Sequence, residues 1–199
     1  MLNKILAATT NPGKVREIKK ILSDFDVISL KDAGIDVDVE ENGKTFAENA
    51  YIKAHEISKL CDLPVLADDS GLEIDALDGR PGVFSARYAG EDSTYDVKIA
   101  RLAEELAHVP KDERHAHFTC AVCLIFPDGK KIEAEGISCP GIILESPRGE
   151  NGFGYDPVFY CPDYKKTFSE MTMEEKNEVS HRQAALIALL NKLKGENLC

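Results

Sequence analysis

The sequence predicts an α/β fold built on a mixed sheet, and three observations carry that prediction. An apolar strand, a polar turn and an amphipathic helix follow one another over residues 4–22. Two long runs of alternating apolar residues, 115–126 and 131–143, flank Pro127-Asp-Gly-Lys130 and read as an antiparallel hairpin. A helical pattern closes the chain over residues 180–193. With 199 residues, 43% of them hydrophobic, the chain can bury a core as one domain or as two lobes around one sheet.

The elements follow in order. Lys4-Ile-Leu-Ala-Ala8 is a short strand, and Val15, Ile18, Ile21 and Leu22 lie on one face of the helix after it. Asn11 stands at the N-cap and Pro12 at the first helical position, where a missing N–H costs nothing. Residues 36–41 alternate weakly as a strand or loop. Thr45-Phe-Ala-Glu48 has the form of a capping box, opening a helix to about Leu60. Leu63–Ala67 is a buried strand ending in Asp68-Asp-Ser-Gly71, and Leu72–Leu77 is a second strand. Asp78-Gly-Arg-Pro-Gly82 is a turn cluster, and a helix runs from Ser93 to about Leu106. After the hairpin come a glycine-rich loop, Glu145–Tyr155, and a strand near Val158–Tyr160. A short helix near Thr172–Lys176 and the helix of residues 180–193 complete the chain.

Charge narrows the function classes. A net charge of −11 and a pI near 4.9 disfavour a general binder of duplex DNA or RNA, which needs a basic surface. A small polyanion is still accommodated if a metal and a few lysines supply positive charge. No stretch approaches a membrane span, and residues 1–8 are too short for a signal peptide. The six cysteines are scattered, which fits free thiols in a reducing cytoplasm. Cys120-Ala-Val-Cys123 has C-x-x-C spacing, but it lies inside a strand pattern with no complementary Cys or His pair.

Four segments carry chemistry. The turn Thr9-Thr-Asn-Pro-Gly-Lys14 sits at the positive end of a helix and offers backbone N–H groups, hydroxyls and an ammonium to an anion such as phosphate. It is not a Walker A loop, because Ala8 and Val15 stand where that motif needs Gly and Ser or Thr. Asp68-Asp69 and Glu40-Glu41 are carboxylate pairs of the kind that hold Mg²⁺ jointly with substrate phosphates. Successive strand residues face opposite ways, so Asp69 is assigned to the reactive side and Asp68 to a structural hydrogen bond. An acidic turn and an exposed loop are the plainer readings of these two pairs. Phe153-Gly-Tyr-Asp156 places aromatics between glycines, which suits stacking on a planar base. Lys176, His181 and Arg182 gather cations around the start of the last helix, where the dipole disfavours them and an anionic partner is expected.

In order and spacing these segments resemble the inosine/xanthosine triphosphate pyrophosphatases over essentially the whole chain. The matching motifs are Thr10-Asn11-x-x-Lys14, Thr45-Phe-x-Glu-Asn-Ala50 with Lys53, and Leu66-Ala-Asp-Asp-Ser-Gly-Leu72. Pro81-Gly-Val-x-Ser-Ala-Arg-Tyr88, Phe153-Gly-Tyr-Asp-Pro157 and Ser180-His-Arg182 complete the set. The resemblance implies an elongated mixed sheet with flanking helices, two lobes around a central nucleotide cleft, and a cytoplasmic homodimer. It implies attack of water on the α-phosphorus of inosine, deoxyinosine and xanthosine triphosphates, with release of pyrophosphate. By the match, Thr9, Thr10, Asn11, Pro12, Gly13, Lys14 and Lys53 grip the polyphosphate. Glu40 and Asp69 hold Mg²⁺, and Asp69 is also the general base. Ser70 supports the phosphate or the base loop. Phe153 stacks on the purine, Gly154, Tyr155 and Asp156 shape its pocket, Lys176 assists, and His181 and Arg182 read the six-position oxygen. A non-catalytic nucleotide sensor and a pyrophosphatase for modified pyrimidines are the alternatives. A bland interaction domain would leave the ordered motifs unexplained.

Overall fold

The computed structural model describes residues 2–90 and 92–198. Strand β1 (Lys4–Ala7) leads into helix α1 (Pro12–Ile21), then β2 (Asp26–Ser29), α2 (Phe46–Ser58) and β3 (Val65–Ile74). Helix α3 (Tyr95–Glu105), strands β4 (His115–Ile125), β5 (Lys131–Ile137), β6 (Gly141–Ile143), β7 (Phe159–Cys161) and β8 (Lys166–Thr167) follow. Helices α4 (Met173–Val179) and α5 (His181–Gly195) end the chain. The eight strands form one mixed sheet in the order β2-β1-β3-β4-β6-β7-β8, with β5 paired to β4. Strands β2 and β3 run parallel to β1, while β6, β7 and β8 are antiparallel to their predecessors in that order. The mixed α/β class expected from the sequence is the one found.

Two elements differ from expectation. The chain does not turn at Asp68-Asp-Ser-Gly71, because β3 runs unbroken for ten residues. Both carboxylates find partners on opposite faces of the strand, so nothing forces a break. The run 131–143 splits into β5 and β6 around Pro140, which has no N–H to give a ladder. Residues 36–41, read as a strand or loop, form no regular element and so take the loop alternative.

The chain divides into two compact units. The first comprises residues 1–69, 120–137 and 181–199, and its core packs Ile5, Ile18, Leu66, Val122, Leu124, Leu186 and Leu189. Helix α5 lies against β5 so closely that a Cβ at Gly136 would stand 2.5 Å from the His181 carbonyl oxygen and 2.7 Å from the Ala184 carbonyl carbon. The second unit comprises residues 70–119 and 138–180. Its core centres on Phe118, Phe159 and Phe168, whose ring centroids lie 4.6–5.7 Å apart, with Leu72, Ile74, Leu102 and Met171 around them.

Cys139 and Cys161 are joined as a disulfide, which corrects the free-thiol expectation for that pair; adjacent strands β6 and β7 bring them together. Cys61, Cys120 and Cys123 are free, and Cys199 lies outside the described residues. Burial pushes the Cys120 and Cys123 thiols up to about 12, so neither supplies a reactive thiolate. No helix among the described residues is long and apolar enough to cross a membrane.

Candidate active site

The turn after β1 is built as its sequence demands. Asn11 is the N-cap of α1, its Oδ1 accepting from the amides of Gly13 at 2.8 Å and Lys14 at 3.3 Å, and Pro12 opens the helix. The Asn11 amide donates to Thr9 Oγ1 at 3.2 Å, and the Val15 amide to the Asn11 carbonyl at 3.1 Å. The backbone donors expected to greet an anion at Asn11, Gly13 and Lys14 are therefore already engaged within the turn. What the turn offers outward is the exposed Thr10 and, from its first helical turn, the Lys14 ammonium.

That ammonium leads into a buried charge cluster of the first unit. Lys14 Nζ lies 3.0 Å from Asp68 Oδ2. The same oxygen accepts from Arg182 Nη2 at 2.9 Å and Nε at 3.2 Å, and Arg182 Nη1 pairs with Glu17. Lys53 Nζ donates to the Asp68 carbonyl at 3.1 Å and pairs with Glu41 at 2.6 Å. Burial opposes ionisation of Asp68, but Lys14, Arg182 and Lys53 outweigh it and hold the carboxyl well below the usual carboxylate range. Arg182 is 0% exposed, and the two carboxylates hold its guanidinium charged although burial opposes this. Arg182, expected to read the base, has its guanidinium engaged by Asp68 and Glu17. It is a charge-pairing residue that fixes Asp68, and α5 carries it into the core beside the buried His181.

Asp69 faces the other way along β3. Its Oδ2 accepts from the Asn49 amide nitrogen at 2.9 Å, while Asn49 Oδ1 accepts from the Gly43 amide at 2.8 Å. Burial and then the nearby Glu41 charge push the Asp69 carboxyl up to about 6, against Lys14, Lys53 and Asn49. Thr45 caps α2 from its hydroxyl, but the Glu48 carboxylate takes the Lys44 amide rather than that of Thr45, so the expected capping box is only half made. Of the acidic pair, Glu41 is set beside Lys53 and Asp69, whereas Glu40 is exposed.

A divalent cation fits this chemistry. Two carboxylates, Asp69 and Glu41, repel one another here, and a cation shared between them would relieve that repulsion. Among the described residues no cluster of three or more His, Cys, Asp or Glu stands ready to hold a metal. Few protein ligands suit Mg²⁺, which keeps waters and shares substrate phosphates rather than entering an all-protein cage.

In the second unit the loop before β7 is shaped by Asp156. Its Oδ2 accepts from the Phe153 amide at 2.8 Å and from Lys176 Nζ at 2.6 Å. The Lys176 ammonium sits 4.7 Å from the centroid of the half-buried Phe153 ring. Gly152 has φ +76°, and a Cβ there would strike the Asp156 carboxylate, so glycine is required. The Tyr155 hydroxyl donates to the Ser85 carbonyl at 2.9 Å, and the Tyr155 phenol is buried. Phe153, Asp156 and Lys176 thus form one group, with Gly154 and Tyr155 in the same loop. Ser70 is half-buried on β3.

Sequence reasoning assigned no role to Asn49 or Glu17. Asn49 had a readable signal: it is a polar residue on the helical face shared by Phe46, Ala50 and Ile57, where burial demands a partner. Glu17 had none, because its partner lies 165 residues away.

Comparison with known proteins identifies the family. A family model described as the Ham1 family matches residues 5–192. A Clostridium perfringens protein named dITP/XTP pyrophosphatase is 52% identical over 98% of each chain, and one of the same name from Shigella flexneri is 46% identical over 97% of this chain and 99% of its own. The solved Ham1 protein of Staphylococcus aureus superposes with a TM-score of 0.85 at 41% identity, covering 98% of this chain and all of that one. The family match spans both the charge cluster around Asp68 and Asp69 and the Phe153 loop: the chain belongs to the Ham1 family.

Proposed function

We propose that this protein is a Mg²⁺-dependent nucleoside triphosphate pyrophosphatase acting on inosine, deoxyinosine and xanthosine triphosphates. The observation that supports this most is the Asp69 carboxyl, held by Asn49 and lying in the field of Glu41, Lys14 and Lys53. Its raised pKa of about 6 suits a group that takes a proton near neutral pH. In this reading Lys14 and Lys53 hold the polyphosphate as point charges. Asp69 orients a water toward the α-phosphorus and takes its proton as the new P–O bond forms. The α–β anhydride bond then breaks, and pyrophosphate leaves with the bonding electron pair. Asp69 and Glu41 would hold Mg²⁺, which when bound neutralises charge on the phosphate oxygens. Phe153, held by Asp156 and Lys176, takes the base. Relatives carrying the name dITP/XTP pyrophosphatase at 46–52% identity support the same substrate class.

The test is a substrate profile. The purified protein is assayed with Mg²⁺ against inosine, deoxyinosine, xanthosine, adenosine and guanosine triphosphates and modified pyrimidine triphosphates, with pyrophosphate and nucleotide products identified. Turnover in ¹⁸O-water should place the label in the nucleoside monophosphate. Label in pyrophosphate, or binding without turnover, would overturn the reading.

A further inference from the structure

The second unit contains a costly feature that the proposed reaction does not use. Thr94 caps α3, its hydroxyl accepting from the Val97 amide, and this sets Tyr95 and Lys98 in the first turns of the helix. Lys98 is buried, only 4% exposed, and no carboxylate among the described residues pairs with it. A cation there opposes the helix dipole, and burial lowers its affinity for the proton. Its compensation is the Tyr95 ring, whose centroid lies 4.6 Å from Lys98 Nζ.

Tyr95 in turn supports the aromatic loop. Its ring meets Tyr155 edge to face, with centroids 5.3 Å apart and planes at 89°. Its Cε1 and Cζ atoms lie 3.5 and 3.6 Å from where a Cβ on Gly154 would stand, so the phenol occupies the space beside that glycine. Gly154 has φ +70° and links Phe153 to Tyr155. The loop is therefore braced by two groups: the Asp156–Lys176 pair, and the Tyr95 ring with the Lys98 ammonium upon it.

We propose that Tyr95, with Lys98 seated on its ring, is a positioning residue for the Phe153–Tyr155 loop and thereby sets the KM for the nucleotide. The inference rests on the reading that Phe153 takes the base. Tyr95→Leu keeps an apolar side chain but removes the ring face and the edge contact. It should raise the KM for inosine triphosphate about tenfold, as expected for losing a cation–π and an aromatic contact, with kcat within twofold of the parent. Tyr95→Phe keeps the ring and should restore the parent KM. Lys98→Met keeps the stem without the charge and should raise KM about threefold. Phe153→Ala is the control for the underlying reading. An unchanged KM in Tyr95→Leu and Lys98→Met beside a raised KM in Phe153→Ala overturns the inference and leaves that reading standing. An unchanged KM in Phe153→Ala overturns both. If Tyr95→Leu does not fold, Lys98→Met decides: a parent KM, or a loss confined to kcat, overturns the proposal.

Discussion

Arg182 and Asp68, 114 residues apart in the chain, meet at one oxygen: Nε and Nη2 of the guanidinium both donate to Asp68 Oδ2. Lys14 reaches the same atom, while Oδ1 has no hydrogen-bond partner. Glu17 takes the remaining side of the guanidinium. The first unit is thus organised around a buried network in which each charge depends on its neighbours.

Removing Arg182 would leave Asp68 and Glu17 buried without it. Breaking a buried pair from one side costs about 3–5 kcal/mol. Arg182→Ala should lower the unfolding free energy by that amount, measured by urea titration. A variant of parent stability with only its base preference altered would contradict this placement.

Asp69 should show the opposite balance of stability and activity. Its folded-state pKa of about 6 lies above the ordinary carboxylate value, so the folded state holds more protons between about pH 4 and 6. Stability from this group is present at the acid end and is lost as pH rises through that window. In metal chelator at neutral pH, Asp69→Asn should therefore be more stable than the parent by roughly 3 kcal/mol. Its turnover should fall at least about a hundredfold. Thermal midpoints against pH for both proteins check the first claim, and a midpoint lower than the parent's at pH 7.5 would refute it.

Lys14 carries the phosphate assignment. Lys14→Ala should weaken binding of inosine triphosphate at least about tenfold while leaving inosine nearly unchanged, because the ammonium acts as a point charge on phosphate. Calorimetric titration of both ligands makes the comparison. Equal weakening of the two would remove Lys14 from the phosphate grip.

Gly136 tests the packing that places α5. A methyl group there must displace helix backbone at His181 and Ala184, not a flexible side-chain end. Gly136→Ala should destabilise by about 1–3 kcal/mol, the usual range for overpacking, visible as a lower urea midpoint. An unchanged midpoint would mean that α5 shifts freely against β5.

Local signals in the sequence carried much of the fold. Asn11 and Pro12 announce the start of α1, and Pro127-Asp-Gly-Lys130 announces the hairpin; both are formed as expected. Failures arose where tertiary partners overrule local chemistry. Asp68-Asp-Ser-Gly71 has the composition of a turn, yet it stays extended because Arg182, Lys14 and Asn49 satisfy its carboxylates from distant segments. The same remoteness hid the partners of Arg182, since nothing near residue 182 reports that Glu17 and Asp68 will surround it. The pairing of Glu41 with Lys53 depends on how an irregular segment lies beside α2, which no periodicity encodes.

The Asn49 amide has one further consequence, for how the protein ages. Its oxygen accepts from Gly43 while its nitrogen donates to Asp69, so both ends of the amide are specified. Hydrolysis of that side chain to aspartate would replace the donor with an acceptor and set a new negative charge against Asp69. A single deamidation event, a change of one mass unit, would then damage the carboxylate on which turnover is proposed to depend. Confinement of Asn49 within α2 keeps its backbone helical and slows the cyclisation that begins such damage. The helix is thus a chemical safeguard as well as a scaffold.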